Sequence, residues 1–153
     1  PVPLQTPYPP IWMGGEAKGV LQRTARFGNG FAPMGAGPQR YRELWDEVAG
    51  LASARGRDPE LITRAVHLYC CMHDDADKAH KIVEQTLTER YGFEVTLSSR
   101  DASLIGNADD CARTIESYLA AGVEHFVINI ARSLEEVPDN MLRLAAEVMP
   151  RFR

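Results

Sequence analysis

The sequence predicts an α/β fold of four parallel strand and helix units. Short apolar, β-prone runs recur along the chain, amphipathic helical stripes separate them, and glycine or proline punctuates the joints. With 153 residues, 44% of them hydrophobic and 25% charged, the chain suits a single domain with a substantial core.

The first unit opens after a proline-rich leading loop, residues 1–8, with Ile11-Trp12-Met13 behind Pro9-Pro10. Its helix places Ala17, Val20, Leu21, Thr24 and Ala25 on one face, and Gly28 is a natural C′ stop. Gly30 to Met34 form the second strand; Pro38 fits the first turn of a helix striped by Tyr41, Leu44, Val48, Leu51 and Ala52 and ended by Gly56. Residues 61–73, LITRAVHLYCCMH, read as a strand buried on both faces. Asp75 caps the next helix, with Ala79, Ile82, Val83, Thr86 and Leu87 inward and Tyr91-Gly92 at its end. Periodicity then fades through FEVTLSSRDASLI, residues 93–105, which reads as a loop with at most one helical turn. Asn107 caps a helix that buries Cys111, Ile115 and Leu119 and stops at Gly122, and VEHFVINI supplies the last strand. Ser133 and Glu136 have capping-box spacing, and Pro138 starts a terminal helix through Met141, Ala145 and Val148.

Composition narrows the partners. No apolar run reaches the roughly 18 residues of a membrane helix. The net charge of −4 provides no basic footprint for nucleic acid or anionic lipid. The three cysteines include an adjacent pair, Cys70 and Cys71, whose side chains point to opposite faces of a strand and read as reduced core residues. With no CxxC motif and no ligand-spaced histidines, no metal site is expected and the default compartment is the cytoplasm.

In parallel α/β folds, ligands collect at the C-terminal ends of the strands. That rule gathers Gly14, Gly15 and Glu16, then Met34 and Gly35, then His73 and Asp74, and finally Asn129 and Arg132. Gly14-Gly15 ahead of a helix offers bare backbone N–H groups to a phosphate, and a tight turn accounts for the same pair. Neither a P-loop nor a complete G-x-G-x-x-G is present. His73 is the candidate catalytic side chain because it ends a strand on the ligand side, with a surface histidine as the alternative. Asn129 and Arg132 suit a ligand contact or, equally, a satisfied buried amide and a rim cation.

PPIWMGGEAKGVLQRTARFGNGFAPM, residues 9–34, resembles the second-half signature of the luciferase-like monooxygenases, the flavin- or deazaflavin-dependent oxidoreductases built on a TIM (β/α)8 barrel. GNADDCARTIESYLAAGVEHFVINI, residues 106–130, resembles that family's final helix and eighth strand. The resemblance implies that the four units are the second half of a barrel and that FMN or a deazaflavin coenzyme binds with its phosphate near Gly14, Gly15, Glu16 and Ala17, with Asn129 and Arg132 on the rim. Glu16 departs from the family's usual small polar residue and brings a carboxylate toward that phosphate, with Lys18 as partial compensation. Such a barrel runs to about 250 residues. Half of one leaves two strand edges and an apolar inner face to be covered by a second copy in a homodimer, by rearrangement, or by the rest of a longer chain. The functions implied are an oxidoreductase acting on a small molecule or a non-catalytic flavin-binding or dimerising module. A phosphate-ligand binder unrelated to redox is a third alternative.

Overall fold

The structure, a computed structural model, describes residues 2–97 and 100–152. Five parallel strands form its sheet: β1 (Trp12–Met13), β2 (Gly30–Phe31), β3 (Thr63–Met72), β4 (Leu104–Gly106) and β5 (His125–Ile130). Their helices are α1 (Lys18–Phe27), α2 (Pro38–Ser53), α3 (Ala76–Tyr91), α4 (Ala108–Ala120) and α5 (Val137–Arg143). From α5 the chain continues through one π-helical and one 3-10 stretch to Phe152.

The four strands expected from the sequence are successive neighbours, β1 on β2, β2 on β3, and β5 on β3. The fifth, β4, lies in the segment expected to be a loop, of which Ser98 and Ser99 fall outside the described residues. Backbone hydrogen bonds locate it. Thr63 and His67 donate to Asn29 and Pro33 on the β2 side, and His73 donates to Gly106 on that same side at 2.9 Å. The carbonyls of Arg64 and Cys70 accept from Glu124 and Ala131 on the other side. Beyond the end of β2, β4 therefore satisfies backbone groups of β3 that would otherwise be buried without partners.

Odd and even positions of β3 face different cores. Val66, Leu68, Cys70 and Met72 pack with α1, α2, α4 and the terminal helix. Tyr69 and Cys71 pack with Ala79, Val83 and Leu87 of α3. Thus α3 lies on the opposite face from the other helices. A right-handed crossover on that face steps back toward β2, consistent with the position of β4. All three cysteines are free and buried, as the sequence predicts. Helix α3 also covers part of the inner face that a bare half-barrel would expose.

Trp12 covers another part. Its ring lies over Gly30, where an added Cβ would come within 2.7 Å of the indole, and its centroid is 4.9 Å from that of His125 on β5. Three strand spacings on a flat sheet would separate β1 and β5 by about 14 Å. The side chains meet because they converge over the concave face.

Caps define the helix ends, and the structure departs from the sequence reading at Gly28, Leu119 and Met141. Asp75 caps α3 through the amides of Asp77 and Lys78, and Asn107 with Asp110 forms a capping box on α4. Gly28 does not use a left-handed conformation: its φ is −68°, and a Cβ there would lie 3.0 Å from the carbonyl oxygen of Thr24. Close approach requires this glycine. Arg57 donates to the carbonyls of Thr24, Ala25 and Gly28, satisfying the end of α1 from the turn after α2. Leu119 is 44% exposed, and Tyr118 takes the inward position, donating to the Ala36 carbonyl at 2.7 Å. Leu119 instead lines an apolar groove with Phe126, Met149 and Phe152. In the terminal helix, Asn140, Leu144 and Val148 face inward, whereas Met141 is exposed.

Asn140, 4% exposed, accepts from Met72 N–H at 2.7 Å and donates to the Met72 carbonyl at 3.4 Å. One amide thus ties the terminal helix to the end of β3. Asn140→Ala should cost about 1–3 kcal/mol by leaving the Met72 N–H buried and unpaired; urea denaturation would measure it, and an unchanged midpoint would show that the tie is dispensable. Gly30→Ala should destabilise the fold by about 1–3 kcal/mol through overpacking against Trp12. A double-mutant cycle with Trp12→Ala should recover most of that loss, whereas strictly additive effects would exclude the Trp12 contact as its cause.

Candidate functional site

The loop after β1 is shaped by its two glycines for different reasons. A Cβ on Gly14 would stand 3.2 Å from the Ala32 carbonyl oxygen, while Gly15 has a φ of +102°, which L side chains rarely adopt. The chain then enters α1 with Ala17 at the N-cap, no side-chain cap and no acidic residue in the first turn. In contrast, α3 and α4 are capped by their own side chains. The first-turn amides of α1 are free of any side-chain cap, a local geometry suited to an anion.

Glu16 and Lys18 flank this loop. The Glu16 carboxylate accepts from Arg40 Nε at 3.0 Å, and Arg40 also pairs with Glu43 at 3.1 Å. These hydrogen bonds raise the Arg40 pKa, with Glu16 contributing most. All three side chains are well exposed, so the contacts guide orientation more than they stabilise the fold. Glu16, Gly35, Gly37, Gln39 and Arg40 line an open cleft of about 520 Å³.

A second cluster occupies the concave face. Tyr69 and Tyr91 share a hydroxyl hydrogen bond of 2.8 Å, and the Tyr91 hydroxyl donates to Met34 Sδ at 3.9 Å. The Arg90 guanidinium lies 5.6 Å from the Tyr69 ring centroid and donates to Asn129 Oδ1 at 3.3 Å. His67 stacks obliquely beside Tyr69, and its Nε2 is buried without a hydrogen-bond partner among the described residues. Burial, followed by the nearby Arg90 charge, lowers the His67 pKa and favours the neutral imidazole. Burial and the Tyr91 hydrogen bond push the Tyr69 phenol up.

The structure therefore separates residues that the strand-end rule groups together. Asn129 joins the concave cluster. Arg132 pairs with Glu136 at 2.9 Å, and its charge and hydrogen bond act on the buried Cys71 thiol. Burial nevertheless dominates there and raises the thiol pKa. His73 is engaged locally: Nδ1 accepts from Asp75 N–H at 2.9 Å at the start of α3. Asp74 pairs with Arg143 at 3.3 Å.

Arg40, Arg90 and Tyr91 were not singled out by the sequence, because each sits on a helix with no strand-end signal of its own. Tyr69 carried a partial signal, since it alternates with Cys71 on β3. Among the described residues no group of three or more His, Cys, Asp or Glu side chains is placed to hold a metal ion, and no helix is long and apolar enough to cross a membrane.

The model of the luciferase-like monooxygenase family matches residues 1–103. A phthiodiolone/phenolphthiodiolone dimycocerosates ketoreductase from Mycobacterium sp. (strain JLS) is 25% identical over 95 residues, covering 61% of this chain and 25% of the relative. The coenzyme F420-dependent tetrahydromethanopterin reductase from Methanopyrus kandleri superposes with a TM-score of 0.70 at 21% identity, covering 94% of this chain and 51% of that one. An F420-dependent secondary alcohol dehydrogenase, solved with an F420-acetone adduct, superposes at 0.76 and 17% identity, covering 97% and 50%. The chain thus spans about half the length of these solved structures and a quarter of the curated relative. With the family model matched over residues 1–103 and a parallel α/β fold shared with these structures, the chain belongs to the luciferase-like monooxygenase family.

Proposed function

We propose that this chain supplies the second half of a flavin- or deazaflavin-dependent oxidoreductase barrel and that its β1 to α1 loop holds the coenzyme phosphate. The carrying observation is the pair of constrained glycines leading into a helix without a side-chain cap, at the C-terminal end of a parallel strand. Gly14, Gly15 and the first-turn amides beyond Ala17 would hold the phosphate. Arg40 keeps Glu16 engaged in an ion pair, reducing the charge conflict anticipated from its position. Asn129, fixed by Arg90 on the concave face, is assigned to the ligand rim. Arg132 can join only by loosening its pair with Glu136, and His73 serves the turn into α3.

When bound, a flavin-type ring supplies the redox chemistry, while the protein orients it and limits water. FMN and F420 both carry a phosphate suited to this loop, and the structures compared above use F420. The non-catalytic alternative has its own support. Among the described residues β1 and β5 each pair on one side only, and Trp12, Met34 and Val127 are 38–39% exposed on or beside the concave face. We assign this surface to a complementary half-barrel, either a second copy or the first half of the same polypeptide.

Gel filtration after incubation with FMN or F420 should leave the chromophore on the protein, and Gly15→Asp should abolish that retention while far-UV circular dichroism is preserved. Retention without turnover when the reduced coenzyme is supplied with candidate substrates would favour the binding module. Undiminished retention in a folded Gly15→Asp variant would move the phosphate elsewhere. Arg40→Ala should free Glu16 and weaken retention roughly three- to fivefold at low salt, with recovery when Glu16→Gln is added; failure of that recovery would break the link between the pair and the phosphate. Light scattering tests self-association: a monodisperse monomer at micromolar concentration would exclude the homodimer.

A further inference from the structure

We propose that a cleft between the C-terminal ends of α1 and α2 binds a compact oligophosphate, at the other end of α1 from the Gly14-Gly15 loop. The cleft has a volume of about 430 Å³ and is lined by Ala25, Arg26, Arg55 and Arg57. Three arginines thus converge in a chain whose net charge is −4.

Their charges are not matched by carboxylates. Arg40, Arg64, Arg113, Arg132, Arg143 and Arg151 each pair with an acidic side chain. Among the described residues Arg26, Arg55 and Arg57 form no such pair, and no carboxylate lines the cleft. Asp58 follows Arg57 in the chain, but its Oδ1 accepts from Glu60 N–H at 3.0 Å, and the Glu60 carboxylate pairs with Arg64 at 3.4 Å. Both acids are engaged on the β3 side.

Arginine near a helix C-terminus has an ordinary use, because it satisfies the last carbonyls and the negative helix end. Arg57 fills that use for α1 through the carbonyls of Thr24, Ala25 and Gly28, and Arg55 donates to the Leu51 carbonyl of α2 at 2.8 Å. The charge present exceeds that use. Each helix end carries about half a negative charge, so three guanidiniums over two ends leave about two positive charges. Donors are left over as well. Of the five N–H groups on a guanidinium, Arg57 commits three and Arg55 one, while Arg26 lies 4.6 Å from the Phe27 ring centroid and hydrogen-bonds to nothing among the described residues.

Guanidinium forks match phosphate oxygens bidentately. Ala25 is the only apolar residue of the lining, so the cleft recognises charge and acceptor oxygens and offers no wall to an apolar body. Arg26 belongs to α1, whereas Arg55 and Arg57 follow α2. A ligand that meets both elements must carry several acceptor groups in a row, which a short phosphate chain does. The ten residues of α1, about 15 Å of helix, separate this cleft from the glycine loop, so the inference stands apart from the oxidoreductase reading.

Calorimetric titration of the chain with tripolyphosphate at low salt should give saturable binding that weakens as salt is raised. Arg26→Gln and Arg55→Gln should each weaken it about five- to tenfold with far-UV circular dichroism unchanged; Arg57 is kept because it also holds the end of α1. Arg113→Gln removes the same charge elsewhere and should leave the affinity as it was. Inorganic phosphate, which cannot span the two elements, should bind about tenfold more weakly or less. ATP binding as tightly as tripolyphosphate supports the site with a nucleotide as the source of the phosphates, and much weaker ATP binding supports it with the free anion as the source. The proposal is overturned by absence of saturable binding, by affinity indifferent to both variants, by an equal loss in Arg113→Gln, or by tighter binding of a hexaglutamate peptide. FMN or F420 retention should be unchanged in Arg26→Gln and Arg55→Gln, and its loss would overturn the separation of the two phosphate sites.

Discussion

The backbone of β3 is the constraint on which the other elements depend. Its ten residues are buried along most of their length, so their N–H and C=O groups must be paired laterally by other strands. One side receives β2 and then β4, and the other receives β5. Side chains follow from that arrangement. Even positions bury Val66, Leu68, Cys70 and Met72 under one helix layer, while odd positions offer Tyr69 and Cys71 to α3. Asn140 then attaches the terminal helix to the last residue of β3 through its backbone.

The division between faces also divides the chemistry. The helix-covered face is apolar and largely closed. The concave face holds the phenols, the imidazole of His67, and Arg90 with Asn129. Above them, at the strand ends, stands the glycine loop with its uncapped helix. Polar groups are concentrated on the concave face, which a complementary half would enclose under the function proposed above. Enclosure would lower the local dielectric and strengthen these contacts.

Burial by α3 changes what the concave face of the sheet exposes. Without it, Tyr69, Cys71 and Ala131 would join Trp12 and Val127 as uncovered apolar area. With it, a smaller strip remains, bounded by β1 and β5. The convergence of Trp12 and His125 over Gly30 covers part of that strip and records the concavity of the sheet.

Long periodic segments were legible in the sequence because their signals are local: a 3.6-residue stripe for α2, continuous apolarity for β3, and side-chain caps at Asp75 and Asn107. The Gly14-Gly15 loop was legible for the same reason, since glycine announces both positive φ and close approach. Strand β4 was not, because three residues carry no period and become a strand through pairing with β3. Gly28 was legible as the stop of α1, while its close approach to Thr24, which calls for glycine there, was not. The concave cluster lay beyond sequence reasoning: Arg90 and Tyr91 meet Asn129 and Met34, which are 39 and 57 residues away along the chain. Local pattern determined the elements, the fold class and the glycine loop; long-range backbone pairing decided which face α3 covers, and with it which side chains share a site.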